Sequence, residues 1–144
     1  MGVQTPVQPD YSSQSGTVYP TNIDKALAVL KEVGDQFAPY QDTGSNLQAL
    51  VAAGRALVAG ALVSQAVQTV TGFTATSATE RIDRIVLDMT TLAASRVAGT
   101  ESAAPAAPAI PASTLPCCQI GPFTTSTTAI VNSMITDERV PWSL

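Results

Sequence analysis

The side chains able to do acid–base, nucleophilic or metal chemistry are few in this 144-residue chain. Histidine is absent, and the only thiols are the adjacent Cys117 and Cys118. Without histidine, neither a Ser-His-Asp nor a Cys-His arrangement can be assembled, and no histidine-bearing zinc site can form. Two thiolates alone cannot complete an all-cysteine zinc site or hold an iron–sulfur cluster. A disulfide between chain neighbours closes a strained small ring, so both cysteines are expected as buried thiols, with a cross-link to another subunit as the alternative. The carboxylates remain. Asp83 with Asp88, and Asp137 with Glu138, are pairs that could in principle serve glycoside hydrolysis. Acids at such spacings are more often solvated or ion-paired, so no enzyme activity, cofactor or metal is expected.

Charge narrows the partners. Seven basic and eleven acidic residues give a net charge of −4. Phosphate contacts supply most of the affinity of a nucleic-acid binder and call for a basic patch. Here the five arginines and two lysines are scattered and mostly flanked by acids, so nucleic acid is not an expected partner. The N-terminal stretch has neither the basic start nor the apolar core of a secretory signal. The run Leu47 to Val63 has the length of a short membrane helix, but Arg55 sits near its middle and Gly54 and Gly60 interrupt it. No membrane span is expected.

The elements that must position these residues fall into three parts. Residues 1–21, with Pro6, Pro9 and Pro20 among Ser, Thr, Gln and Gly, read as an extended arm with little to bury. An arm of this kind gains order by lying against a neighbouring subunit. Over 22–39 the spacing of Ile23, Leu27, Leu30 and Phe37 predicts a helix, capped by Asn22 and stopped by Pro39. Residues 40–144 read as a β module. LQALVAAG, RALVAG and ALVSQAVQTVTGF suggest strands that turn at Gly54 and Gly60, with an Ala-rich helix over 47–66 as the competitor.

ERIDRIVLDM (80–89) alternates, with Ile85, Leu87 and Met89 on one face and Arg84, Val86 and Asp88 on the other. Arg81 and Asp83 share the first face and are spaced to pair at the edge of the core. MTTLAAS then turns the chain, and SRVAGTE returns as the partner strand. Residues 102–116 carry Pro105, Pro108, Pro111 and Pro116, a density that suits an extended crossover rather than a central strand. CCQIGPF reads as a short closing strand, and Trp142, the single tryptophan, as a docked anchor.

Taken in order, Arg81-Ile82-Asp83-Arg84-Ile85-Val86, then Gly99-Thr100-Glu101, the crossover through Pro111, and Ile135-Thr136-Asp137-Glu138-Arg139 form a series. This series resembles a module of bacteriophage virion proteins found in tail-fibre, minor tail and baseplate-associated proteins of tailed phages. The module's pattern is RID-x-[IV]-V, a hairpin ending in GT, a P-x-x-P-x-x-P stretch and a closing I-T-D-x-R. The resemblance covers roughly 50–140.

It implies a mainly β module, a small sandwich or barrel, that assembles as a homotrimer and mounts one virion part on another. It brings no catalytic residues. The residues carried over as architectural are Arg81, Asp83 and Arg84 in the first strand and Asp137 and Arg139 in the closing segment. Their charges are expected to pair with each other or across subunits. The expected function is a structural component of a tailed-phage particle, as a tail or baseplate adaptor, short fibre or capsid decoration. Its partners would be copies of itself and other virion proteins. A carbohydrate- or receptor-binding β module is the alternative, and its supply of aromatic faces is thin.

Overall fold

The structure is a computed structural model and describes residues 27–28 and 34–139. The expected arm over 1–21 and the expected anchor Trp142 lie outside the described residues. So does most of the expected helix, of which Leu27, Ala28, Gly34 and Asp35 are helical. The chain divides into two units, Met1–Asp35 and Gln36–Leu144, and every strand belongs to the second.

That second unit is built from nine strands: β1 (Pro39–Gln41), β2 (Ala49–Val51), β3 (Gly54–Val58), β4 (Ala61–Gln65), β5 (Gln68–Val70), β6 (Arg81–Asp88), β7 (Ala94–Val97), β8 (Thr114–Phe123) and β9 (Ile135–Asp137). They do not close into a barrel. They form three antiparallel sheets, ordered β1-β2-β5, β3-β4 and β7-β6-β8-β9. Ala49, Val51 and Val70 from the first sheet share one core with Ile85, Leu87, Cys117, Cys118, Ile120 and Phe123 from the third.

The run 47–63 holds β2, β3 and the start of β4 and no helix, and no helix among the described residues is long and apolar enough to cross a membrane. The expected turn at Gly60 is present. Ala59 and Gly60 both take positive φ (49° and 83°) between the last pair of the β3–β4 ladder, Val58 and Ala61. A two-residue turn of that hand matches the twist of the strands it joins. Alanine is strained at such a φ and asparagine tolerates it. Ala59→Asn is therefore expected to stabilise the protein by about 0.5–1 kcal/mol, read as a higher urea midpoint; an unchanged or lower midpoint would contradict the turn geometry.

The second expected turn is absent. Gly54 opens β3 without a reversal before it: the Ala52 N–H donates to the Ala38 carbonyl at 2.9 Å and the Phe37 N–H to the Ala53 carbonyl at 3.4 Å, which continues the β1–β2 register beyond Val51. A Cβ at Gly54 would stand 2.5 Å from the Phe37 ring, so this glycine makes room for a core aromatic and does not bend the chain.

Two further expectations are corrected. The strand containing CCQIGPF is not a short closing strand. It is the ten-residue β8, lying centrally between β6 and β9. The crossover accordingly ends before Thr114, and Pro116 sits inside β8 opposite Val86. The register slips between Ile85 and Val86, so that Cys117 is an extra residue between the pairs Ile85–Cys118 and Val86–Pro116. A bulge interrupts the ladder locally and admits a proline that regular central pairing would reject. The same bulge lets two adjacent residues, Cys117 and Cys118, both enter the core, where they stand as free, buried thiols. Met89, expected to extend the buried face of β6, falls beyond the end of the strand and is exposed.

The path from β7 to β8 follows from pairing alone. Because β7 runs back along β6, the chain leaves it near the start of β6, where Ser102 bridges Glu80. Antiparallel β8 must begin at the opposite end, with Thr114 beside Asp88. β6 is flanked on both sides, so the connection has to travel the length of β6 across one of its faces.

Candidate functional site

The charged residues singled out by the sequence gather around β6, but on its two opposite faces. On the core face, Asp83 is fully buried at 0% exposure and all of its acceptor capacity is directed at the protein. Arg81 Nε donates to Oδ1 at 2.8 Å and the Gly99 backbone N–H donates to the same oxygen at 2.9 Å. Arg96 Nε donates to Oδ2 at 2.8 Å, joined by Arg81 Nη2 at 3.3 Å. The pair Arg81 and Asp83 was legible from alternation. Arg96 was not singled out, although the hairpin register places it opposite Ile85 and so diagonal to Asp83 on one face.

Each arginine is also held from below. Arg81 lies over the Phe123 ring at 5.3 Å, Arg96 over the Phe73 ring at 5.4 Å, and the two rings stack at 5.8 Å. Their remaining donors reach backbone carbonyls, Arg81 Nη2 to Thr74 at 2.7 Å and Arg96 Nη1 to Gly72 at 2.7 Å. The irregular segment 71–79 is thereby tied to the sheet. Glu101 completes the tie by accepting from the backbone of Ser77 at 2.9 Å and of Ala78 at 3.2 Å, and from Ser77 Oγ at 2.9 Å.

On the opposite face Arg84 meets Glu138, with Nε to Oε2 and Nη2 to Oε1 both 2.9 Å. Gln119, directly across from Arg84, donates to Glu138 Oε1 at 2.5 Å. Arg84 Nη1 donates to the carbonyl of Pro108 in the crossover. Asp137 does not join this group. Strand parity puts it on the other face, where Arg139 Nε donates to both of its oxygens at 2.9 and 3.0 Å and Nη2 adds a bond at 2.6 Å. Arg139 Nη1 reaches the carbonyl of Gln36. The residue that serves Arg84 is therefore the variable position of the I-T-D-x-R pattern, which sequence reading passed over.

The carboxylate pairs considered for hydrolysis are not brought together. Asp83 and Asp88 lie on opposite faces of β6, and Asp137 and Glu138 engage different arginines. Asp88 instead caps its own turn, accepting from the backbone of Thr90 and Thr91 at 2.8 Å each. The Cys118 thiol is equally unsuited to chemistry, since the hydrogen bond with Cys117 and burial push it up, away from thiolate. Among the described residues no cluster of three or more Cys, Asp or Glu could hold a metal ion. What this arrangement can do is fix strands in register.

It also sets an acid limit. Burial raises the Glu138 carboxyl, but the hydrogen bonds and charge of Arg84, with Gln119, outweigh it and leave Glu138 below its ordinary value. Asp137 is likewise raised by burial and brought below its ordinary value by Arg139. Backbone hydrogen bonds from Thr91 and Ser77 lower Asp88 and Glu101 respectively. Four acids that bind protons less readily folded than unfolded contribute stability that is fully present above the ordinary carboxylate range. That contribution is lost as pH falls through the lowered folded-state values. The expected result is a flat melting temperature from pH 7 to about 5 and a steep decline below about 4.5, checked by thermal melts across pH 3–7.

No protein-family model and no curated protein matches the chain.

Proposed function

We propose that this chain is a structural component of a tailed-bacteriophage virion, an adaptor or short fibre of the tail or baseplate or a decoration of the capsid, working through subunit assembly and without chemistry. The observation that carries this reading is the way the pieces of the recognised series serve one another. The RID strand holds Gly99 of the GT segment through Asp83, the crossover through Arg84 and Pro108, and the closing segment through Arg84 and Glu138. Segments spread over residues 81–139 thus act as one framework, which supports reading them as one architectural module.

A second support is the β3–β4 ribbon. Leu57 and Leu62 stand directly opposite each other on its outer face, each 62% exposed, as in a part that is built in rather than free. A homotrimer is the assembly proposed, threefold cyclic closure being an ordinary solution for identical subunits. Of the aromatics a sugar site would need, Phe37, Phe73 and Phe123 are buried in the core and Tyr40 is half-buried, while Tyr11, Tyr19 and Trp142 lie outside the described residues.

Locating the protein in intact particles by electron microscopy tests the proposal, with density on the tail, baseplate or capsid as the expected result. A protein that stays monomeric in light scattering and never co-purifies with particles would overturn it.

A further inference from the structure

The crossover is more than a connection. It is anchored at its start, where the Ser102 N–H donates to the Glu80 carbonyl, and at its end, where the Met89 N–H donates to the Ser113 carbonyl, each at 2.9–3.0 Å. Eleven residue steps span at most about 34 Å, at the roughly 3.1 Å per residue of an extended proline-rich chain, and the bend at 103–104 and the turn at 112–113 shorten that reach. The stretch of β6 between the two anchors covers about 30 Å at about 3.3 Å per residue. The segment is therefore a nearly taut strap along the outer face of β6.

Between the anchors, among the described residues, its backbone makes no hydrogen bond to other backbone. The bond that holds its middle to the sheet is the one from Arg84 Nη1 to the Pro108 carbonyl. Arg84 is aimed by the bidentate Glu138 carboxylate, and Glu138 in turn by Gln119. Beneath lies Val86, on the same face as Arg84, at 1% exposure yet outside the main core cluster. Its cover is separate from the core, so the strap can lift without the two packed sheets coming apart.

We infer that residues 103–113 form a separately opening strap, latched at its middle by the relay Gln119–Glu138–Arg84–Pro108 and hinged at its C-terminal end, where Thr114 Oγ1 donates to the Pro111 carbonyl at 2.7 Å, and that releasing the latch uncovers the Val86 face of β6 while the core stays folded. Proline density supports this. The strap has no ladder to re-form and little conformational freedom to lose when it closes again. The inference rests on the strap's own geometry and does not depend on the virion proposal.

Limited digestion of the full chain with an elastase-type protease, which cuts after small residues, reads the strap directly. The strap is rich in alanine, and cleavage tracks the population of the open form. Glu138→Gln keeps the shape of the side chain and removes the charge that aims Arg84. It is expected to speed cleavage within 103–112 about tenfold, equivalent to about 1.4 kcal/mol of latch stability. Amide-exchange protection of β6 and β8 should stay unchanged. Arg84→Met, which has no donor for either Glu138 or the Pro108 carbonyl, should give the same acceleration, while Asp137→Asn, outside the relay, should give none. The inference is overturned if neither latch variant speeds strap cleavage, if Asp137→Asn speeds it as much, or if protection in β6 and β8 falls in step with cleavage.

Discussion

Asp83→Ala is expected to cost about 3–5 kcal/mol of folding stability, the largest loss from any single charged residue in the module. The carboxylate accepts four hydrogen bonds from Arg81, Arg96 and Gly99 while fully shielded from water. Removing it leaves two guanidinium groups close together, one of them buried, with only the Glu101 carboxylate, 3.9 Å from Arg81 Nη1, as a counter-charge. It also leaves the Gly99 N–H without its acceptor. The penalty is chiefly that of uncompensated charge, so it should be partly relieved when both arginines are replaced by Met as well. Urea denaturation of the single and triple variants checks both parts. A single variant within about 1 kcal/mol of the parent would show that Asp83 does not hold the register.

Gly99→Ala follows, with an expected loss of about 3 kcal/mol or more. A Cβ placed there would sit 1.9 Å from the Ile82 carbonyl oxygen and 3.3 Å from the Arg81 side chain. The obstacle is backbone of the central strand, which cannot step aside without breaking the β6 ladder. Moving the 99–102 segment away instead would withdraw the N–H from Asp83 and Glu101 from Ser77 and Ala78. The Gly-Thr-Glu segment is thus a glycine chosen for closeness and a glutamate chosen as a cap. A melting temperature within a few degrees of the parent's would refute this account, since about 3 kcal/mol corresponds to a shift of 6 °C or more in a domain of this size.

Alternation along 80–89 was enough to identify β6, its buried face and the neighbouring Arg81 and Asp83, because a period of two leaves no other assignment for that pattern. The return strand was legible for the same reason. Arg96 and Glu138 were missed because their roles depend on which residues lie opposite them, and that is settled by register. The turn wrongly expected at Gly54 has a similar origin. A glycine that bends the chain and a glycine that admits a phenylalanine ring look alike in one dimension. Pro116 misled for a related reason, since its tolerance in β8 depends on a bulge whose existence depends on the partner strand.

The residue types by themselves excluded histidine-based catalytic arrangements and histidine-bearing zinc sites, and Val, Thr and Ile at alternating positions made the module a β structure. Proline density marked the extended crossover. Only the tertiary structure decided which charges meet across strands. Arg81 with Asp83 and Asp137 with Arg139 pair two residues apart on one stretch of chain, whereas Arg96 reaches Asp83 and Glu138 reaches Arg84 only through the register of β7 and β9, which a one-residue slip would destroy. It also turned the proline-rich stretch from a spacer into a strap held at its middle by one guanidinium, a role that exists only when three separate segments reach the same face of β6.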